Sequence, residues 1–381
     1  MTPRTVVIVG AGLAGSRCAE TLRAEGFDGR VVLVGDEERA PYERPALSKE
    51  YLAGERDSLE LRPAEFWPEK EIELVLERRV ESVDVERRTL DGRLAWDALV
   101  VATGARARRL PLPVPAGVYT LRTHADAEVL GTQLAPGRRL AVIGAGFVGA
   151  EVASTARKLG VEVTVVDMAR APLERVLGPE VGGILAARYR SEGVDLRLET
   201  GLGRFVAGPD GRVTALELTD GSLIECDAAL LAIGAEPAGE LLGADRTGIA
   251  IDGCGRTSFP GIFACGDVAN AWRRSAGGNV RVEHWTSAAG QAATVARAIL
   301  GNAEPYDDLP YFWSDQFGLR LQHVGHADDW DSVEIEGGPD SFAARYFDRE
   351  SRLLAALLAN RPREIGAVRR ELAGVALRQA A

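Results

Sequence analysis

Val6-Val7-Ile8-Val9 runs directly into Gly10-Ala11-Gly12-Leu13-Ala14-Gly15, and the stretch from there to Arg23 consists of helix-compatible residues. A second apolar run, Val31-Val32-Leu33-Val34, follows and is closed by Asp36. This order predicts strand, glycine turn, helix, strand and acid. In such a unit the first glycine permits the tight turn, the second lets the backbone approach a pyrophosphate, and the third lets helix pack on strand. A pyrophosphate there rests on the helix N-terminus, where free N–H groups and the helix dipole favour negative charge. Asp36, about 20 residues beyond the glycines, stands where a carboxylate accepts hydroxyls of an adenosine ribose. Alone, a turn of this kind also occurs with no ligand.

Here it occurs twice. Leu140-Ala141-Val142-Ile143 leads into Gly144-Ala145-Gly146-Phe147-Val148-Gly149, a helix through Lys158, a strand from Val161 to Val166, and Asp167. The repeat extends further, because Asp97-Ala98-Leu99-Val100-Val101-Ala102-Thr103-Gly104 is echoed by Asp227-Ala228-Ala229-Leu230-Leu231-Ala232-Ile233-Gly234. Glycine at such a strand end allows close approach of backbone to a cofactor, or simply makes a turn. Two complete units argue for two different dinucleotides.

Pro111, Pro113, Pro115 and Pro136-Gly137 bracket the approach to the second unit, and Pro237 to Gly243 closes it. Beyond it, Gly261 to Cys265 reads as a strand, Gly266-Asp267 as its turn, and Ser287 to Leu300 as a helix. These complete the first unit, so the second is an insertion. From Tyr311 onward, alternation in Leu319 to Val324 and in Ser341 to Phe347 predicts antiparallel strands, closed by a helix from Arg363 to Leu377. The expected architecture is α/β. A discontinuous domain of residues 1–112 and 238–310 holds an inserted domain, 113–237, and a small α+β domain of residues 311–381 ends the chain.

At 381 residues and 46% hydrophobic, the chain exceeds what one core usually holds. A net charge of −11 argues against a nucleic-acid groove or an anionic membrane as the main partner. No apolar run reaches about 18 residues, and the first strand begins close to Met1, so a soluble, cytoplasmic chain without a signal peptide is expected. Cys18, Cys226, Cys254 and Cys265 stand far apart, which suits neither a disulfide framework, a metal knot nor a redox dithiol. Cys18 and Cys265 read as small core residues. His124, His323 and His326 show no metal spacing, and no metal is expected.

Longer motifs carry a resemblance. Asp36-Glu37-Glu38-Arg39-Ala40-Pro41-Tyr42-Glu43-Arg44-Pro45-Ala46-Leu47-Ser48-Lys49, Gly261 to Ala269, Glu283-His284-Trp285 and Phe312-Trp313-Ser314-Asp315-Gln316 appear in order. The set resembles the NADH-dependent ferredoxin reductases of bacterial oxygenase systems. The putidaredoxin, rubredoxin and biphenyl-dioxygenase ferredoxin reductases belong there, and apoptosis-inducing factor is a relative. The resemblance covers essentially the whole chain and departs at Ala46, where the family usually has a second proline.

The resemblance implies two Rossmann-like, glutathione-reductase-like domains, with FAD in the first and NADH in the second. It assigns FAD to Gly10, Gly12, Ala14, Gly15, Asp36, Glu37, Arg44, Lys49, Val80, Ala102, Thr103, Gly104, Arg108, Gly266 and Asp267. It assigns the nicotinamide nucleotide to Gly144, Gly146, Phe147, Val148, Gly149, Glu151, Asp167 and Gly234. Glu283, His284, Trp285 and Trp313 are implied to line the flavin, with Lys49, Glu151 and Trp313 as the catalytic residues. Without the family, Arg44 would read as a surface charge, and His284 and Trp313 as core residues. Asp167 favours NADH because its carboxylate repels a 2′-phosphate of about −1.5 to −2 charges. Arg170 is a counterweight, since an arginine there suits that phosphate.

The implied acceptor is a one-electron carrier, an iron–sulfur ferredoxin or rubredoxin, served by a monomer or homodimer, with Arg273-Arg274 as a candidate docking patch. Two alternatives stay open. A disulfide or peroxide reductase would need a cysteine beside the flavin, and Glu43 to Leu52 contains none. A redox-sensing protein like apoptosis-inducing factor shares the motifs.

Overall fold

In the computed structural model, residues 3–273, 278–302 and 304–379 are described. The chain divides into two compact units. Met1–Glu43, Glu60–Arg106 and Glu236–Tyr311 form one, and Arg44–Leu59, Ala107–Ala235 and Phe312–Ala381 form the other.

The first unit is built on a five-stranded sheet in the order Ile262–Ala264, Ala98–Val101, Thr5–Val9, Arg30–Val34, Ile72–Val75, with every pairing parallel. A parallel sheet is covered on both faces, which is why its strands read as unbroken apolar runs. Val6, Ile8, Val31, Leu33 and Val100 face helices Leu13–Ala24 and Trp285–Ile299, where Cys18, Leu22, Val295 and Ile299 complete a core. The alternate residues Val7, Val9, Val32, Val34 and Val101 form the opposite core with Leu90, Trp96, Ile249 and Val268. A three-stranded antiparallel meander, Val83–Asp84, Thr89–Leu90 and Leu94–Ala95, lies between the third and fourth strands in sequence.

The second unit repeats the plan. Its parallel sheet runs Asp195–Arg197, Glu162–Val166, Arg139–Ile143, Ala228–Leu231, Val118–Tyr119, and a three-stranded meander again immediately precedes one of its strands in sequence, here Ala228–Leu231. One strand differs in origin. The position that Ile262–Ala264 fills in the first sheet is filled here by Val118–Tyr119, which precedes the glycine turn in the chain instead of following it.

The unit also contains a five-stranded sheet in the order Tyr311–Gln316, Leu319–Gly325, Leu353–Ala359, Ser341–Phe347, Ser332–Gly338, followed by helix Ile365–Gln379. Leu319–Gly325 with Leu353–Ala359, Leu353–Ala359 with Ser341–Phe347, and Ser341–Phe347 with Ser332–Gly338 all pair antiparallel, as the alternation predicted. The α/β architecture with two dinucleotide-type sheets and a C-terminal α+β region therefore stands. None of the described helices is long and apolar enough to cross a membrane.

The echo between Asp97 and Asp227 has a structural cause. Asp97 accepts from the backbone N–H of Arg4 and Thr5 at 2.8 and 2.9 Å. Asp227 accepts from that of Arg139 at 2.8 Å. Each carboxylate ties the start of the strand that leads into its unit's glycine turn to the start of the neighbouring strand, Ala98–Val101 or Ala228–Leu231. Burial opposes the charge on Asp227, but the Arg139 backbone N–H and guanidinium hold its carboxyl below the usual range.

Candidate functional site

Both glycine turns fold alike, atom for atom at the points that matter. Gly10 donates to the Val34 carbonyl at 2.7 Å, and Gly144 to that of Val166 at 2.8 Å. Ala102 donates to Val9 at 2.7 Å, and Ala232 to Ile143 at 2.8 Å. The first glycines have φ of +113° and +107°, and a Cβ would lie 2.1 Å from the Ala102 oxygen or 2.3 Å from the Ala232 oxygen. The third glycines are closed as tightly: a Cβ on Gly15 or Gly149 would lie 1.9 or 2.0 Å from the carbonyl oxygen of Gly10 or Gly144.

The middle glycines differ. A Cβ on Gly12 would meet nothing within 4 Å, and one on Gly146 would meet only the Ala232 oxygen, at 4.0 Å. Each middle glycine is also the N-cap of its helix and supplies no side-chain cap. Two helix N-termini thus lack the side-chain oxygen that commonly satisfies a first-turn N–H, beside space that a phosphate can enter. The residues fit a dinucleotide in each turn.

In the first unit, Gly266 packs against the turn, since a Cβ there would lie 2.9 Å from Ala14 Cβ, and its N–H donates to Gln291 Oε1 at 3.0 Å. Asp267 follows, its carbonyl accepting from Arg281 at 3.3 Å. Thr103 Oγ1 donates to the Ala238 carbonyl at 2.6 Å, and Gly104 has φ of +67°. Asp36 is exposed at the end of the second strand, and Glu37 accepts from the Tyr42 hydroxyl at 2.6 Å. Val80 packs on the meander-side core. Glu283 pairs with Arg281, His284 stands at the N-cap position of helix Trp285–Ile299 without a side-chain capping bond, and Trp285 is half-buried at the first position of that helix.

In the second unit, Asp167 accepts from Ala145 N at 2.6 Å and from Ala169 N at 2.8 Å, which fixes its carboxylate against the turn. Phe147, at the first helical position, packs edge-on against Phe312 at 4.7 Å, and Phe312 stacks on His323 at 4.8 Å. Val148 is exposed beside it. Gly234 accepts from Arg108 N at 3.0 Å, so the structure brings these two together. Arg44 donates to the Arg122 carbonyl at 2.8 Å.

Lys49 and Glu151, read separately from the sequence, form a buried ion pair of 2.6 Å with side chains 11% and 7% exposed. Glu151 sits on the inward face of helix Phe147–Lys158, where a lone carboxylate would be costly. It is not alone. Ser48 donates to one oxygen at 2.5 Å and Ser314 to the other at 2.7 Å. Lys49 also donates to the Pro45 carbonyl at 2.9 Å, and Thr155 holds the Ser48 carbonyl at 2.8 Å. From Ser314 the chain of hydrogen bonds continues through Gln316, at 3.1 Å, to the buried Tyr189 hydroxyl. Burial pushes the Tyr189 phenol well above its ordinary range, with the Glu151 charge acting the same way, so Tyr189 stays a neutral donor.

Ser48, Ser314, Gln316 and Tyr189 were not singled out from the sequence. The period-2 burial of Tyr311–Gln316 held the signal, because Phe312, Ser314 and Gln316 are its inward residues. Two polar side chains on the buried face of a strand need partners. Trp313 lies on the other face and is half-buried.

All four cysteines are free and buried. Burial raises the Cys226 and Cys265 thiols to about 12. Cys18 is raised by burial and then by Cys265. Reactivity requires thiolate and access. In the native protein near pH ~8, none of the four should react with 5,5′-dithiobis(2-nitrobenzoate) within minutes, while all react in guanidinium. One fast-reacting native thiol would contradict this assignment. Of the candidate docking patch, Arg274 lies outside the described residues. Arg273 is described only in its backbone, at the end of strand Ala269–Arg273.

Comparison with known proteins agrees with this geometry. Residues 4–292 match the pyridine nucleotide-disulphide oxidoreductase family, and residues 311–380 match the reductase C-terminal family. The 5,5′-dehydrodivanillate O-demethylase ferredoxin reductase subunit of Sphingobium sp. is 38% identical over 94% of this chain and 90% of its own length. The benzene 1,2-dioxygenase system ferredoxin–NAD(+) reductase subunit of Pseudomonas putida is 37% identical over 96% and 91%. A chain of the crystal structure of the covalent putidaredoxin reductase–putidaredoxin complex superposes with a TM-score of 0.93 at 36% identity, covering 97% of this chain and 93% of that one. With both glycine turns, the buried lysine–glutamate pair and the C-terminal sheet accounted for, the chain belongs to the pyridine nucleotide-disulphide oxidoreductases, among the ferredoxin reductases of bacterial oxygenase systems.

Proposed function

We propose that the chain is an FAD enzyme that takes hydride from NADH and passes single electrons to an iron–sulfur ferredoxin or rubredoxin feeding an oxygenase. The observation that carries this reading is the pair of matching turns, each with its middle glycine facing open space and an N-cap without a side-chain oxygen. We assign the turn of residues 10–15, in the domain of residues 1–112 and 238–310, to FAD. The turn of residues 144–149, in residues 113–237, is assigned to NADH.

The flavin supplies the chemistry of accepting an electron pair and releasing it singly. The protein's own residues position and polarise. The glycine turns present backbone N–H groups to pyrophosphates, and Asp36 and Asp167 accept ribose hydroxyls. Arg44, Arg108 and Asp267 are assigned to the flavin nucleotide. Lys49 is held in place by its ion pair with Glu151, and Ser48 and Ser314 fix the carboxylate that holds it. Phe147 is braced by Phe312 as the residue beside the nicotinamide. Trp285 and Trp313 are proposed flavin-side aromatics. The enzyme acts in the cytoplasm on this reading.

The disulfide-reductase alternative is disfavoured by the cysteines, all buried and none within residues 43–52. The test is to mix purified protein with NADH or NADPH, follow bleaching of the flavin band, and compare reoxidation by ferredoxin, a disulfide and oxygen. Rapid bleaching by NADH and fastest reoxidation by ferredoxin is the expected result. Protein that binds no flavin, or reoxidation fastest with the disulfide, would overturn it. Sustained turnover also separates the enzyme from a sensor, which would persist as a long-lived reduced complex.

A further inference from the structure

We propose that Glu174 enforces the preference for NADH over NADPH by holding the Arg170 guanidinium, the cation that would otherwise accept a 2′-phosphate. The inference rests on assigning the turn of residues 144–149 to the nicotinamide nucleotide.

Arg170 follows Asp167 by three residues, and an arginine just past the acid at this strand end is the residue type that receives a 2′-phosphate. By sequence alone it therefore opposes Asp167. In the structure it is engaged. Its Nε and Nη2 donate to Glu174 Oε1 at 3.0 and 2.8 Å, and its own backbone N–H donates to Glu174 Oε2 at 2.8 Å. One carboxylate thus holds both ends of the residue and closes residues 170–174 into a ring. The Arg170 backbone N–H holds the Glu174 carboxyl below its usual range, so it stays charged at any working pH.

Magnitudes decide what the pair does. The Arg170 side chain is 71% exposed, and an ion pair so open to water adds little to stability. Breaking it costs the fold little. Its effect on an incoming phosphate is larger, because a forked guanidinium–phosphate contact is among the stronger charge-assisted bonds. Asp167, Glu174 and Arg170 carry a net charge of −1 together, facing a phosphate of about −1.5 to −2. Replacing Glu174 with glutamine brings the set to zero and releases the fork. Asp167 remains in place, held by Ala145 and Ala169, so recognition of an unphosphorylated ribose is untouched.

Dissociation constants for NAD+ and NADP+, measured by calorimetry on the oxidised holoenzyme, test this without turnover. Glu174→Gln should tighten NADP+ about tenfold and leave NAD+ within about twofold. Arg170→Ala in the same background should abolish the gain, and Arg170→Ala alone should leave NAD+ unchanged. Paired measurements with 2′-AMP and 5′-AMP should show the gain only for the 2′-phosphate. Glutamine retains an oxygen for the Arg170 backbone N–H, and an unchanged thermal midpoint shows that the fold is intact. Unchanged NADP+ affinity in Glu174→Gln overturns the inference, as does a gain that survives removal of Arg170, which would place the responsible cation elsewhere, for example at Arg175. A wild-type protein that binds neither nucleotide defeats instead the assignment on which the inference rests.

Discussion

Gly12→Ala should give a folded protein that holds flavin about tenfold to 100-fold more weakly. The added methyl meets no protein atom within 4 Å, and Gly12 has φ of −88°, which alanine adopts freely. The fold has no reason to object. The methyl does occupy the space through which a pyrophosphate reaches the helix N-terminus, and losing one charge-assisted contact there costs about 1.5–3 kcal/mol. Flavin affinity of the apoprotein should therefore fall about tenfold to 100-fold, with far-UV circular dichroism unchanged. Gly10→Ala is the contrast. Its φ of +113° and its approach of 2.1 Å to the Ala102 oxygen forbid the methyl, so that variant should lose the fold of the unit along with flavin. Unchanged flavin affinity in Gly12→Ala would remove the first turn from the cofactor site.

A second large effect is expected at the buried ion pair, and it should be asymmetric. Removing one partner of such a pair leaves an uncompensated buried charge and costs about 3–5 kcal/mol. Glu151→Leu leaves the Lys49 ammonium with only the Pro45 carbonyl, at 2.9 Å, and a weak contact to Ser48 at 3.4 Å. Lys49→Met leaves the Glu151 carboxylate still accepting from Ser48 and Ser314. Glu151→Leu should therefore sit at the upper end of that range and Lys49→Met at or below the lower end. The double variant should be more stable than Glu151→Leu, because both charges leave together. Urea unfolding of the four proteins measures the cycle. Strictly additive single effects would mean that the two side chains do not stabilise each other.

Much of this was legible in the residues. Strand, glycine turn, helix and acid depend on spacings of a few residues, and both copies folded as those spacings require. The family resemblance read from residues 36–49 and the later motifs was borne out across the chain. The closing helix begins at Ile365, two residues beyond the expected Arg363, because Pro362–Glu364 first makes a tighter 3₁₀ turn. The helix after Asp267 begins earlier than expected, at Trp285, with His284 as its N-cap. Neither shift moves a residue between faces.

Less legible were the partners. Asp97 and Asp227 open two echoing segments of the sequence, and only strand pairing showed that each ties down a neighbour. Arg170 looked like a challenge to Asp167 until Glu174 was seen to hold it.

By itself the sequence determined that this protein has two dinucleotide folds and belongs with the ferredoxin reductases, because the information lies in glycine spacing, apolar runs and ordered motifs. Tertiary structure alone decided what surrounds Glu151. Its donors Ser48 and Ser314 stand 103 and 163 residues away in the chain, and the next link, Tyr189 to Gln316, spans 127. The physical reason is that hydrogen-bond partners across such separations are set by sheet register and helix packing. Propensity and spacing, which act over one or two turns of chain, do not reach that far.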